Sequence, residues 1–301
     1  MQAQDHGQPA LGYVLAYGAL SAALDGALAD HEQICAIYKA EVTGIQPGIE
    51  AATVTFTHRN DEQYLSARLA VLADGGRSLG ETPGLKRETR DYGHDALVTK
   101  VQGELAHDNI AYERFTPAGP LALLPNGARD FSLVWTGKKE EITSLLKLSD
   151  DEFLVRLHRH FGDRVGRFMQ VGKRMSFPLQ LSYLNPVIAP HLAVIGNAAQ
   201  TMHPVAGQGF NVGLRDAWEL AGAIAATTPA AWGTDAMLED YQKMRKADTQ
   251  GGIVFTDFLV NVFSNDMAGL SAIRGAGLGL LDIVRPAKTQ LIKKMSFGAQ
   301  G

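Results

Sequence analysis

The segment over residues 191–226 constrains the fold more than any other part of the chain. Residues 191–196 (HLAVIG) are nearly all apolar, which indicates a short buried strand. Gly207 and Gly209 follow in a turn, and glycine permits positive φ and leaves the backbone N–H groups bare. A helix is predicted over 209–226, so its positive dipole end faces that turn. The pattern therefore predicts a site for an anion or an electron-rich ring edge.

A second strand-to-turn segment has the same character. The apolar strand pattern over 65–78 ends in the sequence ADGGRS. An Asp-Gly pair after a strand is most often only a turn, so this motif is weak by itself. Ligands of open α/β sheets bind beyond the carboxyl ends of the strands. We therefore expect the strands of 65–78 and 191–200 to end side by side, with Asp74 and Asn197 facing one cleft.

The rest of the chain predicts an α/β protein divided at residues 1–80, 81–185, 186–234 and 235–301. Ser149 and Glu152 form a capping-box pattern that predicts the start of a helix. The other predicted helices cover 10–30, 235–262 and 268–296. The other predicted strands cover 33–43, 53–58, 65–71, 95–104, 110–116, 119–125, 130–136 and 173–183.

Charge and composition exclude some functions. The formal net charge is −4 and the pI is about 6.1, which argues against a nucleic-acid partner. The chain has a single cysteine, Cys35, so no internal disulfide forms; its strand-like surroundings predict a buried small apolar residue. His158 and His160 are two residues apart on a helix and point apart, so they form no metal pair. The sequence contains no run of about 18 apolar residues, so it predicts no membrane-spanning helix.

One helical stripe is expected to face the core. Phe210, Leu214, Ala217 and Ala221 recur at helical spacing within the helix predicted over 209–226.

The string GNAAQTMHPVAGQGFNVGLRD, residues 196–216, resembles the second flavin fingerprint of class A flavoprotein aromatic hydroxylases. That fingerprint is written G-D-A-A-H-x-x-x-P-x-x-G-x-G-x-N-x-x-x-x-D. Asn197 and Gln200 stand where most of the family has aspartate and histidine, a form similar to the 2-polyprenyl-6-methoxyphenol hydroxylases of ubiquinone biosynthesis. Asn197 keeps a side chain that can bond a ribose hydroxyl, but without charge. Other matching positions are ADGGRS at 73–78, Phe115 to Pro125, Phe177 to Leu179, Tyr241, Arg245 and Asp248.

This resemblance implies a glutathione-reductase-like FAD domain in residues 1–80 and 186–234. It further implies an inserted β-sheet substrate domain at 81–185 and a helical C-terminal region at 235–301. The implied reaction is hydroxylation of a polyprenylated methoxyphenol with NAD(P)H and O₂, through a flavin C4a-hydroperoxide. The implied catalytic residues are His203, Pro204 and Gln208. The implied FAD-binding residues are Asp74, Gly75, Gly196, Asn197, Ala198, Gly207, Gln208, Gly209, Phe210 and Asn211.

One family feature is missing from the sequence. Members begin with a β-α-β unit whose G-x-G-x-x-G turn holds the ADP half of FAD, and no such turn follows a strand near this N-terminus. Residues 11–24 resemble a family segment that normally lies about a hundred residues into the chain. We therefore expect an N-terminally truncated member that binds FAD poorly. No side chain can be assigned as the base for the phenol.

Several alternatives stay open on the sequence alone. The chain is either a hydroxylase, a flavin oxidoreductase without hydroxylase activity, or a non-catalytic remnant that acts as an assembly subunit. The expected partners are the phenol and O₂, with a homo-oligomer or a ubiquinone-biosynthesis complex as further options. The segment at 278–294 fits a packing helix, which is favoured, or a helix at a membrane surface. The expected location is the cytoplasm, with the inner-membrane surface as the alternative.

Overall fold

The structure, a computed structural model, describes residues 2–80, 82–116, 119–201, 208–246 and the single residue 289. It divides into two compact units. The described part of the first comprises residues 2–30, 91–116, 119–179 and 289. The described part of the second comprises residues 31–80, 82–90, 180–201 and 208–246.

Each of the two units contains both helices and strands. The helices are α1 (Tyr17–Ala29), α2 (Lys139–Leu146), α3 (Asp150–Phe161) and α4 (Gln208–Ala225), followed by a helical stretch over 235–246. The strands are β1 (Glu41–Gln46), β2 (Ala52–His58), β3 (Asp61–Ala67), β4 (Ala70–Leu72), β5 (Arg87–Gly103), β6 (Tyr112–Thr116), β7 (Gly119–Pro125), β8 (Asp130–Lys138), β9 (Phe168–Val171), β10 (Met175–Leu184), β11 (Ile188–Ala189), β12 (Leu192–Val194) and β13 (Gln200–Thr201).

The first unit is built on an antiparallel sheet in the order β6-β7-β8-β5, with β9 also paired to β5. Helices α2 and α3 pack on this sheet around a core that includes Phe131, Leu133, Phe153 and Leu157, all fully buried. Ser149 caps α3 by accepting the N–H of Glu152, and the Glu152 carboxylate accepts the Ser149 N–H in return. The capping box predicted from the sequence is therefore confirmed.

The second unit contains two small sheets. Strands β1, β2 and β3 form an antiparallel meander, and the second sheet runs in the order β11-β12-β4. Strands β12 and β4 are parallel, and α4 and the helical stretch over 235–246 contribute to the core around them. Leu192, Ala193 and Val194 are fully buried, as their apolar run predicts for a strand of a parallel sheet.

The prediction of a strand over 33–43 was too early in the chain. β1 begins at Glu41, and Lys39, with φ of 58°, interrupts the extended backbone just before it. Cys35 lies in the irregular segment before this point and is exposed, so the prediction of a buried cysteine was wrong. The helix predicted over 10–30 is shorter than expected, since α1 begins at Tyr17, and none of its residues is buried.

The prediction that Phe210, Leu214, Ala217 and Ala221 face the core was also wrong. All four are exposed, and Phe210 and Leu214 retain 59% and 51% of their accessible surface. The buried face of α4 carries Val212, Asp216, Leu220 and Ala223 instead. An apolar stripe could not identify this face because one of its members is an aspartate, which is buried in an ion pair with an arginine. The segments 247–262 and 268–296 lie outside the described residues, apart from residue 289.

Candidate active site

The two predicted turns lie next to each other because each follows the carboxyl end of one of the parallel strands β4 and β12. Ala70 pairs with Leu192, and Leu72 pairs with Val194. The hydrogen bond from the Ile195 N–H to the Leu72 carbonyl, at 3.0 Å, extends this pairing to the strand ends. The turns at 73–78 and 195–199 therefore leave the sheet side by side, as the sequence predicted.

Asp74 shapes the first turn through its carboxylate. Oδ1 accepts the Gly76 N–H at 2.8 Å, while Oδ2 accepts the Ser78 N–H at 2.8 Å and the Ser78 hydroxyl at 2.5 Å. Partial burial of Asp74 opposes ionisation, but the hydrogen bonds from Ser78 and Gly76 outweigh it and lower the pKa of the carboxyl. Asp74 therefore holds the turn 74–78 in shape as an ionised, hydrogen-bonded anchor.

The second turn begins at Gly196, whose φ of 61° lies in the left-handed region that favours glycine. A short 3-10 turn follows over Gly196–Ala198, and the Leu184 N–H donates to the Ala199 carbonyl at 2.8 Å. Asn197 is exposed at the tip of this turn, whereas Ala198 is fully buried. The turn thus presents one amide side chain on a backbone that is anchored on both sides.

A buried carboxylate fastens this turn to α4. Asp216 is 2% exposed, and its Oδ2 accepts the Gly196 N–H at 2.8 Å and the Gln200 side-chain amide at 3.3 Å. Arg245 neutralises it, because its Nη2 donates to Oδ2 at 2.8 Å and its Nε lies 2.7 Å from Oδ1. Burial raises the pKa of the neighbouring Tyr241 phenol, so this residue stays neutral.

Arg87, the first residue of β5, bonds the second turn to β10 and lies beside the first turn. Its Nη1 donates to the Ser182 hydroxyl at 2.9 Å, and its Nη2 donates to the Ala198 carbonyl at 2.8 Å. A Cβ at Gly76 would lie 3.0 Å from Arg87 Nη2 and 3.5 Å from the Ala198 Cα, so the two turns are in close contact. Arg87 was not among the residues predicted from the sequence, since no motif singles it out.

The amino end of α4 meets the same region. The helix begins at Gln208, so the prediction that Gly209 lies at a helix N-terminus is confirmed. Phe210 and Asn211 are exposed, and among the described residues no atom outside the helix's own backbone lies within 4 Å of the position that a Cβ of Gly209 would take. A Cβ on Gly213, one turn further along, would lie 3.3 Å from the Gly196 Cα, which shows how closely α4 packs on the second turn.

The structure thus brings together eight of the predicted FAD-binding residues: Asp74, Gly75, Gly196, Asn197, Ala198, Gly209, Phe210 and Asn211. His203, Pro204 and Gly207 lie outside the described residues, as does the side chain of Gln208. Within the described ranges, no group of three or more histidine, cysteine or acidic side chains is arranged to hold a metal ion.

Comparison with known proteins places this arrangement in a family. Residues 23–255 match the family model described as FAD binding domain. The chain is 36% identical to the ubiquinone hydroxylase UbiL of Rhodospirillum rubrum, over 95% of this chain and 67% of that protein. It is 30% identical to the 3-demethoxyubiquinol 3-hydroxylase of Escherichia coli, over 95% of this chain and 73% of that protein.

The fold agrees with that of a solved monooxygenase structure. The p-nitrophenol 4-monooxygenase PnpA of Pseudomonas putida superposes with a TM-score of 0.76 over 94% of this chain and 73% of that structure, at 15% sequence identity. The match to the family model covers most of the chain, and both the relatives and the fold agree with it. The chain therefore belongs to the family of the FAD binding domain, as a flavin-dependent aromatic hydroxylase of the class A type found among the hydroxylases of ubiquinone biosynthesis.

Proposed function

We propose that this protein hydroxylates a polyprenylated methoxyphenol in ubiquinone biosynthesis, with FAD, NAD(P)H and O₂. The observation that carries the proposal is the convergence of the two turns after β4 and β12 with the amino end of α4. The region beyond the carboxyl ends of such parallel strands is where α/β proteins bind their ligands. The likeness to ubiquinone hydroxylases supports the substrate class.

The residues present fit one side of a flavin cofactor. At Gly75, Gly196 and Gly209 no other part of the described chain occupies the space where a Cβ would stand, so a ligand could approach the bare backbone at all three. Asn197 is exposed at the tip of its turn and offers a neutral amide to a ribose hydroxyl. Asp74 fixes the shape of the turn from which Gly75 faces the ligand, since its oxygens accept three hydrogen bonds within that turn.

The chain's own contribution to the reaction is position and charge. FAD, when bound, supplies the redox chemistry and the activation of O₂. The N–H groups at the start of α4, from Gln208 to Asn211, have no partners within the helix and sit at its positive dipole end. They would stabilise negative charge that develops on an edge of the flavin ring. His203, Pro204 and Gln208 remain the proposed catalytic residues.

The absorption spectrum of the purified chain tests the proposal most directly. Hydroxylase function predicts binding of FAD with a visible flavin band, oxidation of NAD(P)H, and a phenolic product that carries one atom from ¹⁸O₂. Gly209→Val should weaken FAD binding by filling the open space at the start of α4. Gly222→Val is the matched control, because Gly222 lies on the same helix, also faces open space, and is more than three turns away. Equal FAD affinity of the two variants would contradict the proposed site.

The second candidate is a non-catalytic subunit that acts through contacts in an assembly. Helix α1 favours it, since this apolar helix buries none of its residues in the described part of the chain. A colourless chain that gains no flavin signal on titration with FAD would support this candidate. NAD(P)H oxidation without an oxygenated product would instead indicate a flavin oxidoreductase.

We propose contact with a membrane surface only for residues 278–294, which lie outside the described residues apart from residue 289. None of the helices that the structure describes is long and apolar enough to cross a membrane.

A further inference from the structure

A cavity of about 490 Å³ lies between α2 and α3 in the first unit, and none of its lining residues belongs to the site formed by the two turns and α4. Its volume is within the range of about 300–1,000 Å³ that small-molecule sites occupy. Ile142 and Leu145 of α2 contribute a buried apolar floor, and the indole of Trp135 on β8 forms part of the wall. The cavity can therefore hold an apolar ring.

His160 supplies a polar group that lacks a partner. Its imidazole stacks on Trp135 with 4.7 Å between the ring centroids, and its Nε2 is buried without a hydrogen bond. Native proteins leave few buried polar atoms unpaired, and a ligand is one way to satisfy such an atom. Burial lowers the pKa of His160, and the charges of Arg114 and Arg156 add to this effect, so the ring is neutral at pH 7. Neutral Nε2 can make one hydrogen bond to a ligand.

The charges along the cavity favour an anion. Arg156 and Arg159 both line it and are exposed at its rim. Two glutamates line it as well, but the carboxylate of Glu152 already accepts the N–H and the hydroxyl of Ser149, at 2.9 and 2.7 Å. Glu141 is then the remaining acidic group of the lining, against two guanidinium groups that can bind a carboxylate in bidentate fashion.

We propose that the cavity between α2 and α3 binds a small aromatic carboxylate. The ring lies against Ile142 and Leu145, the carboxylate bonds to Arg156 and Arg159, and a polar atom of the ligand satisfies Nε2 of His160. This site goes beyond the proposed hydroxylation and does not depend on it, because it shares no residue with the turns that meet α4.

Benzoate is the probe for this site, titrated into the full chain without FAD. We expect the imidazole signal of His160 and the indole signal of Trp135 to shift in a saturable manner in NMR spectra, with a dissociation constant of about 1 mM or tighter. Benzyl alcohol offers the same ring without the charge and should bind at least about tenfold more weakly, since hydrogen bonds to charged groups are stronger than neutral ones.

Four variants separate a real site from a surface effect. Arg156→Ala and Arg159→Ala should each weaken benzoate binding about tenfold. Arg164→Ala, an exposed arginine of the same unit outside the cavity, should leave it unchanged. His160→Phe keeps a ring against Trp135 while removing Nε2, and it should also weaken binding.

Ser144→Trp is the second kind of test, because Ser144 is exposed at the lining and a bulky side chain there would fill the space without disturbing the core. This variant should retain the unfolding transition of the parent and lose benzoate binding. The proposal is overturned if benzoate shifts neither signal in a saturable manner. It is also overturned if Arg164→Ala weakens binding as much as Arg159→Ala, or if Ser144→Trp binds as the parent does.

Discussion

At the scale of single residues, the buried pair of Asp216 and Arg245 has the largest expected effect on stability. Asp216→Asn would remove the carboxylate charge that faces the Arg245 guanidinium, whose side chain is 4% exposed. Breaking a buried pair in this way costs about 3–5 kcal/mol. Urea unfolding should show this loss, whereas Asp240→Asn, which affects an exposed ion pair with Lys243, should change the midpoint little. Similar midpoints for the two variants would show that the buried pair is not essential.

Asp74 predicts a pH dependence that can be measured at the same scale. Its folded-state pKa is lowered, so its contribution to stability is complete above the unfolded-chain value of about 3.9 and is lost as the pH falls through the folded value. In an NMR titration of the Asp74 carboxyl, Ser78→Ala should raise the midpoint, because it removes the hydroxyl donor. Ser78→Thr keeps a hydroxyl and should restore the low midpoint. An unchanged midpoint in Ser78→Ala would count against the anchoring role of this carboxylate.

At the scale of elements, α4 has one buried face and one exposed apolar face. Leu220 is 3% exposed, and Leu220→Ala should destabilise the protein by about 2–5 kcal/mol through lost packing and a residual cavity. Trp218 is 81% exposed, and Trp218→Ala should change the stability by no more than about 0.5 kcal/mol. Thermal or urea unfolding of the two variants measures the difference. A larger loss from the tryptophan change would reverse the assignment of the faces.

At the scale of the whole molecule, exposed apolar side chains near the N-terminus predict self-association. Large exposed apolar patches mark interaction surfaces or aggregation sites. The exposed apolar residues of this region are Leu11, Tyr13, Val14, Leu15, Tyr17, Leu24 and Leu28. Sedimentation velocity should show association that rises with protein concentration and that Leu24→Lys reduces. Ile49→Lys is the control, since Ile49 is exposed in a different part of the chain, and it should have the smaller effect. Association unaffected by either change would place the contact elsewhere.

The parts of the site that a local sequence motif encodes could be predicted from the sequence. The apolar run before Gly196 and the one before Asp74 each predict a buried strand that ends in a turn, and parallel pairing places the two turns together. The start of α4 near Gly209 and the capping box at Ser149 were predictable for the same reason, because caps and glycine turns depend on neighbouring residues. The family resemblance rested on these same local strings.

Only the tertiary structure decided which face of α4 is buried and what holds the second turn. Asp216 lies inward because it pairs with Arg245, which is 29 positions away in the chain, and bonds to Gly196, which is 20 positions away. A hydrophobic pattern counts Asp216 as a surface residue, so the prediction from the sequence assigned the wrong face of α4 to the core. Arg87 and Ala198 likewise meet across 111 positions. The sequence by itself determined the turns and the helix start, because these follow from local backbone preferences, and it determined the family, because the resemblance rests on short strings of residues. The ion pair and the arginine contacts depend on chain segments that only folding brings together.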